Sequence, residues 1–272
     1  VRLAHPLETA DRTIRERSGF LIFVDYQGTR GVGEATPLPG WTESLGECRD
    51  ALVRAAEIAE ELDWGIALAK TEAPAARHGL SLALAEARAR ADGSPLYRHL
   101  GEDRFVPSVP VNATIGDADP EATAREAERA TSEGFGCLKV KVGARAVEAD
   151  VRRLCAVRDR VGESVELRAD ANGAWSRDRA EEAFDAFADI GVSYVEQPLD
   201  PGDLAGHRGL RGGSVGVGLD ESLREYAIET IVEAKATDVV VIKPMVVGGP
   251  DRARDVALRA REDGVDPVIS TT

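Results

Sequence analysis

Three of the five lysines in this 272-residue chain fall in two short apolar segments. In Leu138–Gly143, Lys139 and Lys141 alternate with apolar residues, and Val239–Pro244 ends on Lys243. Lysine and arginine total 34, so the other 29 basic residues are arginines. Arginine keeps its proton near neutral pH, whereas lysine can give it up once its pKa is lowered. Lysines retained on apolar strands therefore point to proton transfer. Lys139 and Lys141 are two apart, so on a strand both leave from one face. If that face is an interior, each ammonium is expected to lower the other's pKa, leaving one as a neutral base near pH 7. Lys243, four strands further on, is expected to face the same substrate from the opposite side. Surface placement would explain any one of these lysines alone, and explains three much less well.

Three carboxylates follow the same logic. Asp170 ends the run Val165–Ala169, Glu196 ends Tyr194-Val195-Glu196, and Asp220 ends Val215–Leu219. Three successive strands thus each offer one carboxylate at the same height. Each could separately cap a helix or pair with an arginine. Together they would repel one another in a confined site, and a divalent cation resolves that. An all-oxygen set suits Mg²⁺ or Mn²⁺ and disfavours zinc. The chemistry this implies is removal of a proton α to a metal-bound carboxylate by lysine, where neutralising the developing charge is the main task.

The elements that must position these groups alternate strand and helix from about Val106 onward. Strands are expected at Val109–Ile115, Cys137–Val142, Val165–Ala169, Tyr194–Glu196, Val215–Leu219, Val239–Ile242 and Pro267–Ser270. Helices are expected at Pro120–Ser132, Ala146–Val161, Arg177–Ile190, Glu225–Ala234 and Pro250–Asp263. Such alternation implies βαβ units and parallel pairing. Seven strands without a Gly-rich phosphate loop favour a β/α barrel over an open doubly wound sheet, with chemistry at the C-terminal strand ends. Residues 1–105 read as an α+β domain. It has antiparallel strands at Phe20–Tyr26 and Val32–Glu34, then helices at Ser44–Leu62 and Pro74–Ala91. Arg104–Pro110 is the expected linker, leaving 106–272 as the barrel domain.

Composition narrows the partners. The formal charge is −14, from 48 acidic and 34 basic residues. That argues against nucleic acid or an anionic membrane surface, both of which need a basic patch. Acid excess with arginine over lysine suits a salt-adapted, halophilic protein. No apolar run approaches the ~20 residues of a membrane span, and no basic-then-apolar leader is visible. Cys48, Cys137 and Cys155 make no metal-binding or disulfide pattern, which fits a reducing cytoplasm. The expected partner is a small carboxylate substrate, with homo-oligomerisation left open. His78 reads as helix packing, His5, His99 and His207 have no partner motif, and Trp175 reads as packing.

These residues resemble the enolase superfamily, in its muconate-lactonizing subgroup. The resemblance rests on the KxK of Lys139 and Lys141, the DxN of Asp170 and Asn172, the ExP of Glu196 and Pro198, Asp220-Glu221-Ser222, and Lys243-Pro244. Gly31–Trp41 looks like the mobile loop of that superfamily's capping domain. This loop, Leu199 and Lys243–Gly249 look most like the o-succinylbenzoate synthase family of menaquinone biosynthesis. The resemblance implies an N-terminal capping domain before a (β/α)7β-type TIM-like barrel. It also implies syn-dehydration of 2-succinyl-6-hydroxy-2,4-cyclohexadiene-1-carboxylate to 2-succinylbenzoate through an enediolate. Lys141 would take the α-proton and return it to the departing hydroxyl, with Lys139 tuning Lys141. Lys243 would stabilise the enediolate. Asp170, Glu196 and Asp220 would bind Mg²⁺, with Asn172 and Glu221 in support. Pro39, Gly40, Trp41, Gly248 and Gly249 would contact the substrate.

N-succinylamino acid racemases, dipeptide epimerases and muconate cycloisomerases share the constellation, and a racemase would use both lysines as a two-sided acid and base. The chain reaches Thr272 at about the seventh strand, short of the family's last elements. The barrel is therefore expected to be incomplete, and a non-catalytic remnant is a third reading.

Overall fold

Two glycines decide how the N-terminal strands meet a helix. A computed structural model of the protein describes residues 1–8, 13–101 and 106–271. In it, β1 (Arg2–Glu8) pairs antiparallel with β2 (Thr13–Glu16), and β3 (Phe20–Tyr26) with β4 (Thr29–Ala35). The β3–β4 turn is Gln27-Gly28, both at positive φ (48° and 79°), as a two-residue hairpin of this hand requires. Strand β3 alternates faces: Val24 is buried, while Leu21 and Phe23 are exposed. β4 lies directly on α3 (Pro74–Ala91). A Cβ on Gly31 would come within 2.0 Å of the Ala83 carbonyl, and one on Gly33 within 1.9 Å of the Gly79 carbonyl. Only glycine permits that approach.

Helix α1 (Leu45–Glu61) starts from a capping box in which Ser44 and Glu47 satisfy each other's backbone N–H. Then come α2 (Trp64–Lys70), capped by Asp63, and α4 (Leu96–Leu100). The two short helices are additions to the sequence reading. Val24, Ala55, Ala67, Leu80, Ala83 and Leu84 form the core here. Small alanines let the helices pack closely on a two-stranded sheet.

The chain divides into two compact units. One holds Val1–Phe105, Ile242–Leu258 and Ile269–Thr272, and the other Val106–Val241 and Arg259–Val268. The second is built on a seven-stranded sheet. Its strands are β5 (Ala113–Ile115), β6 (Cys137–Lys141), β7 (Glu166–Asp170), β8 (Val192–Glu196), β9 (Gly216–Leu219), β10 (Val239–Ile242) and β11 (Asp266–Ile269), side by side in chain order. Pairing is parallel from β5 through β10. The connecting helices are α5 (Pro120–Ser132), α6 (Val147–Val161), α7 (Arg177–Ile190), α8 (Leu204–Leu210), α9 (Ile228–Glu233), α10 (Pro244–Val247) and α11 (Pro250–Glu262). β10 is buried throughout, as expected where both faces of a parallel sheet are covered. The α/β class with barrel-type βα repeats is as the sequence implies. Among the described residues β5 and β11 are end strands of the sheet.

Several boundaries differ from the sequence reading, two of them for a clear physical reason. The first barrel strand is Ala113–Ile115 rather than Val109–Ile115, and Val109 and Val111 are exposed. Pro107 and Pro110 lack the N–H a ladder needs. Helix α9 starts at Ile228 rather than Glu225, because Glu221–Arg224 forms a 3-10 turn directly after β9. Residues 104 and 105 of the expected linker, and Thr272, lie outside the described residues. None of the described helices is long and apolar enough to cross a membrane.

Candidate active site

Parallel register sets the heights of the candidate groups. Lys141 is level with Asp170, Asp170 with Glu196, and Glu196 with Gly218. Asp220 therefore lies two residues further along its strand than its neighbours do on theirs. Asp170, Glu196 and Asp220 are nearly fully buried. The Lys139 ammonium donates to both Glu196 oxygens at 3.0 Å and lies 3.2 Å from Asp170 Oδ2. Lys141 donates to Asp170 Oδ2 at 2.6 Å and to Asn172 Oδ1 at 2.8 Å. Asn172 in turn donates to Glu221 Oε1 at 3.1 Å. Seven of the singled-out residues thus meet at one end of one sheet.

The lysine reading needs correction. Lys139 was expected to share a lowered pKa with Lys141, but its pKa is raised. Burial acts to lower it, and the charges of Glu196 and Asp170 outweigh that. Each lysine faces a carboxylate rather than only another cation. Lys139 is 15% exposed and Lys141 is 36% exposed, so Lys141 is the one that reaches open space. Burial also acts to raise Asp170, but Lys141 and Lys139 hold it below the ordinary carboxylate value. Glu196 goes the other way. Burial first, then the charge of Asp170, push it up to about 8, with Asp220 adding to the rise and Lys139 opposing it. Burial and Asp220 also raise Glu221, whose Oε2 is buried without a hydrogen-bond partner.

The backbone around these groups is held from below. Arg153, 1% exposed, donates to the Lys141 and Gly116 carbonyls and to Asp150 Oδ1, each at 2.8 Å. Asp150 Oδ2 accepts from the Gly143 N–H at 2.8 Å. This buried ion pair clamps the ends of β5 and β6 and was not singled out from sequence. The clue was available: Asp150 and Arg153 share a helix face with Val147, Leu154 and Val157, all buried. Trp175 packs edge-on to Phe187, with centroids 6.0 Å apart.

The other candidates lie in the first unit. The Lys243 ammonium sits 3.5 Å from the centroid of the Trp41 ring, a cation–π contact. Pro39 and Gly40 form the turn in which the Trp41 N–H donates to the Leu38 carbonyl at 2.8 Å. Gly248 and Gly249 follow α10, and Arg77 donates to the Gly248 carbonyl at 2.5 Å and to both Asp251 oxygens. A Cβ on Gly249 would lie 2.5 Å from Asp251 Oδ1, so this turn admits glycine alone.

Among the described residues, no three Asp, Glu, His or Cys side chains form a ready-made cage for a cation. The lysines stand on Asp170 and Glu196 instead. The donor chemistry nevertheless fits a hard divalent ion. Three oxygen-only side chains come from adjacent strands, all are buried, and the charges of Asp170 and Asp220 add to the burial that drives Glu196 up.

Comparison with known proteins agrees with this geometry. A profile described as the enolase C-terminal domain-like family matches residues 122–271, and one described as the MenC N-terminal domain matches residues 3–87. The L-Ala-D/L-Glu epimerase of Bacillus subtilis (strain 168) is 30% identical over 290 residues, covering 100% of this chain and 78% of the epimerase. The o-succinylbenzoate synthase of Thermobifida fusca (strain YX) is 39% identical over 168 residues, 60% of this chain and 50% of the synthase. A crystal structure of the dipeptide epimerase from Enterococcus faecalis V583, complexed with Mg and the dipeptide L-Leu-L-Tyr, superposes with a TM-score of 0.89. It is 28% identical, covering 100% of this chain and 79% of that one. The chain spans about half the length of several other relatives, such as the hydrophobic dipeptide epimerase of Enterococcus faecalis, at 55%. With a family profile matching more than half of its length, the chain belongs to the enolase superfamily.

Proposed function

We propose that this protein removes the proton α to a substrate carboxylate with Lys141, and that the reaction is the dehydration performed by o-succinylbenzoate synthases. The observation that carries the proton-transfer step is the placement of Lys141. It is the more open of two paired lysines, held between Asp170 and Asn172 at a strand end. The 39% identity to the Thermobifida fusca synthase supports the choice of dehydration.

Asp170, Glu196 and Asp220 would hold Mg²⁺ or Mn²⁺, which when bound supplies Lewis-acid neutralisation of charge developing on the substrate carboxylate. Lys141, as the neutral amine, takes the α-proton. As the ammonium, it then delivers a proton to the departing hydroxyl on the same face, and water leaves. Lys139 stays charged between Glu196 and Asp170, orienting both. Asn172 steers Lys141 and links it to Glu221. The second reading is an epimerase or racemase, favoured by the match to the Bacillus subtilis epimerase along the whole chain. It would use proton return to the α-carbon in place of elimination.

The test is loss of ultraviolet absorbance from the cyclohexadiene substrate, with Mg²⁺ and in molar KCl to meet a salt-adapted protein. Turnover that disappears in Lys141→Ala supports dehydration. No turnover, with solvent deuterium entering the α-carbon of dipeptides or N-succinyl amino acids, selects the second reading. Normal turnover in Lys141→Ala would refute both.

A further inference from the structure

The residue directly after Glu196 occupies a conformation that an L side chain seldom takes. Gln197 has φ 42°, in the left-handed region, and is fully buried. Holding a non-glycine residue there costs on the order of 1–3 kcal/mol, and such strain persists only where surrounding bonds fix it. Here they do. The Gln197 N–H donates to the Gly218 carbonyl at 2.8 Å, and its carbonyl accepts from Gly173 at 2.7 Å.

The left-handed turn swings the side-chain amide beneath the next strand end. Its Oε1 accepts from the Asp220 N–H at 3.1 Å and from the Ser222 N–H at 3.2 Å. Backbone N–H groups only donate, so the oxygen must face them, which fixes the amide orientation. Its Nε2 donates to Ser222 Oγ at 3.0 Å and to the Leu199 carbonyl at 3.1 Å. Ser222 Oγ spends its own proton on the Pro201 carbonyl at 2.9 Å.

His207, also fully buried, closes the ring. Its Nδ1 lies 2.8 Å from the Asp203 carbonyl, which can only accept, so Nδ1 carries the hydrogen. Nε2 is then the acceptor for the Leu199 N–H at 3.3 Å. The buried side chains of Gln197 just after β8, Ser222 in the turn after β9 and His207 in α8 therefore form one satisfied network. Its centre joins the backbone of Glu196 to the backbone of Asp220.

We infer that Gln197 is a positioning residue: through Asp220 and its own junction with Glu196, it sets the spacing of two carboxylates for a divalent cation. This rests on the metal assignment proposed above. Groups that orient metal ligands typically change metal affinity on the order of 10–100-fold when removed.

The test is Mn²⁺ binding, read from the electron paramagnetic resonance signal of free Mn²⁺, with no substrate present. The wild-type protein should bind Mn²⁺. Gln197→Met keeps side-chain length and removes the amide, and should weaken binding roughly 10–100-fold. Thr237→Val is the control for general loss of a buried hydrogen bond. Thr237 is buried, and its hydroxyl lies within hydrogen-bond distance of the Val217 and Val239 carbonyls, sharing its one proton within the β9–β10 region. It should leave Mn²⁺ affinity unchanged. If Gln197→Met fails to fold, Ser222→Ala, which removes one partner of the amide, should still weaken Mn²⁺ binding more than Thr237→Val does. A folded Gln197→Met that binds Mn²⁺ as tightly as wild type overturns the inference, as does equal weakening in Ser222→Ala and Thr237→Val. Wild-type protein that binds no Mn²⁺ removes the metal assignment itself and the inference with it.

Discussion

Replacing Arg153 with Met should destabilise the protein by about 3–5 kcal/mol, the usual result of removing one partner of a buried ion pair. The magnitude follows from what the guanidinium touches. Arg153 is 1% exposed and Asp150 is 0% exposed, so water cannot take over for either. Losing the arginine leaves the Asp150 carboxylate with the Gly143 N–H, and removes a donor from the Lys141 and Gly116 carbonyls. Methionine fills most of the volume, so the loss is electrostatic rather than a cavity. For a chain of this size about 1 kcal/mol moves Tm by roughly 2–4 °C, which places the expected drop between about 6 and 20 °C. Differential scanning calorimetry measures it. The sharper test adds Asp150→Asn. If the penalty comes from an uncompensated charge, the double variant should be more stable than Arg153→Met alone, with a coupling of about 0.5–3 kcal/mol. Additive losses, or a Tm drop under about 3 °C for Arg153→Met, would refute the argument that this pair is what clamps the β6 end carrying Lys141.

Three further outcomes are expected. Lys141→Ala should lower kcat by about 10²–10⁴-fold while the far-ultraviolet circular dichroism stays native, since a general base contributes that much; a smaller loss would move the base role elsewhere. His207 titrates below its ordinary 6.5, because burial outweighs the opposing Asp203 carbonyl contact and the Asp203 and Asp200 charges. A depressed folded-state pKa means the unfolded chain takes the proton first. The stability contribution is then complete above about pH 6.5 and is lost as pH falls through the lower folded value. As pH drops below about 6.5, Tm should fall less steeply in His207→Gln than in wild type, and parallel curves would exclude the effect. Finally, Cys155 is exposed whereas Cys48 and Cys137 are buried, with burial pushing their thiols up to about 12 and about 11. An aromatic disulfide reagent should therefore titrate one thiol per chain in the native protein and three in denaturant, and rapid reaction of more than one native thiol would count against the packing of these segments.

What the sequence disclosed, and what it hid, divides along a physical line. Periodicity is local, so Phe20–Tyr26, Pro74–Ala91, Pro120–Ser132, Arg177–Ile190 and Val239–Ile242 have the limits expected from it. Short pieces such as Trp64–Lys70 and Leu204–Leu210 are too brief to show a period, and packing and caps decide them. The carboxylates were legible because a parallel barrel puts every strand's C-terminal end on one side. Residue type plus strand position was then enough to gather Asp170, Glu196 and Asp220. The lysine electrostatics were not legible. The pattern KxK says that two cations share a face, but not that Asp170 stands between them and Glu196 against Lys139, and the sign of the Lys139 shift depends on that. Gln197 and Arg153 were hidden for a related reason. A glutamine beside Pro198 reads as a loop residue, and an arginine on a helix reads as solvated. Both readings fail only when the fold shows that no water can reach the group. A buried polar group must be satisfied, and here the satisfying partners are the main chains that carry Lys141 and Asp220. The polar residues hardest to find from sequence are therefore the ones that fix where the chemistry-bearing side chains start.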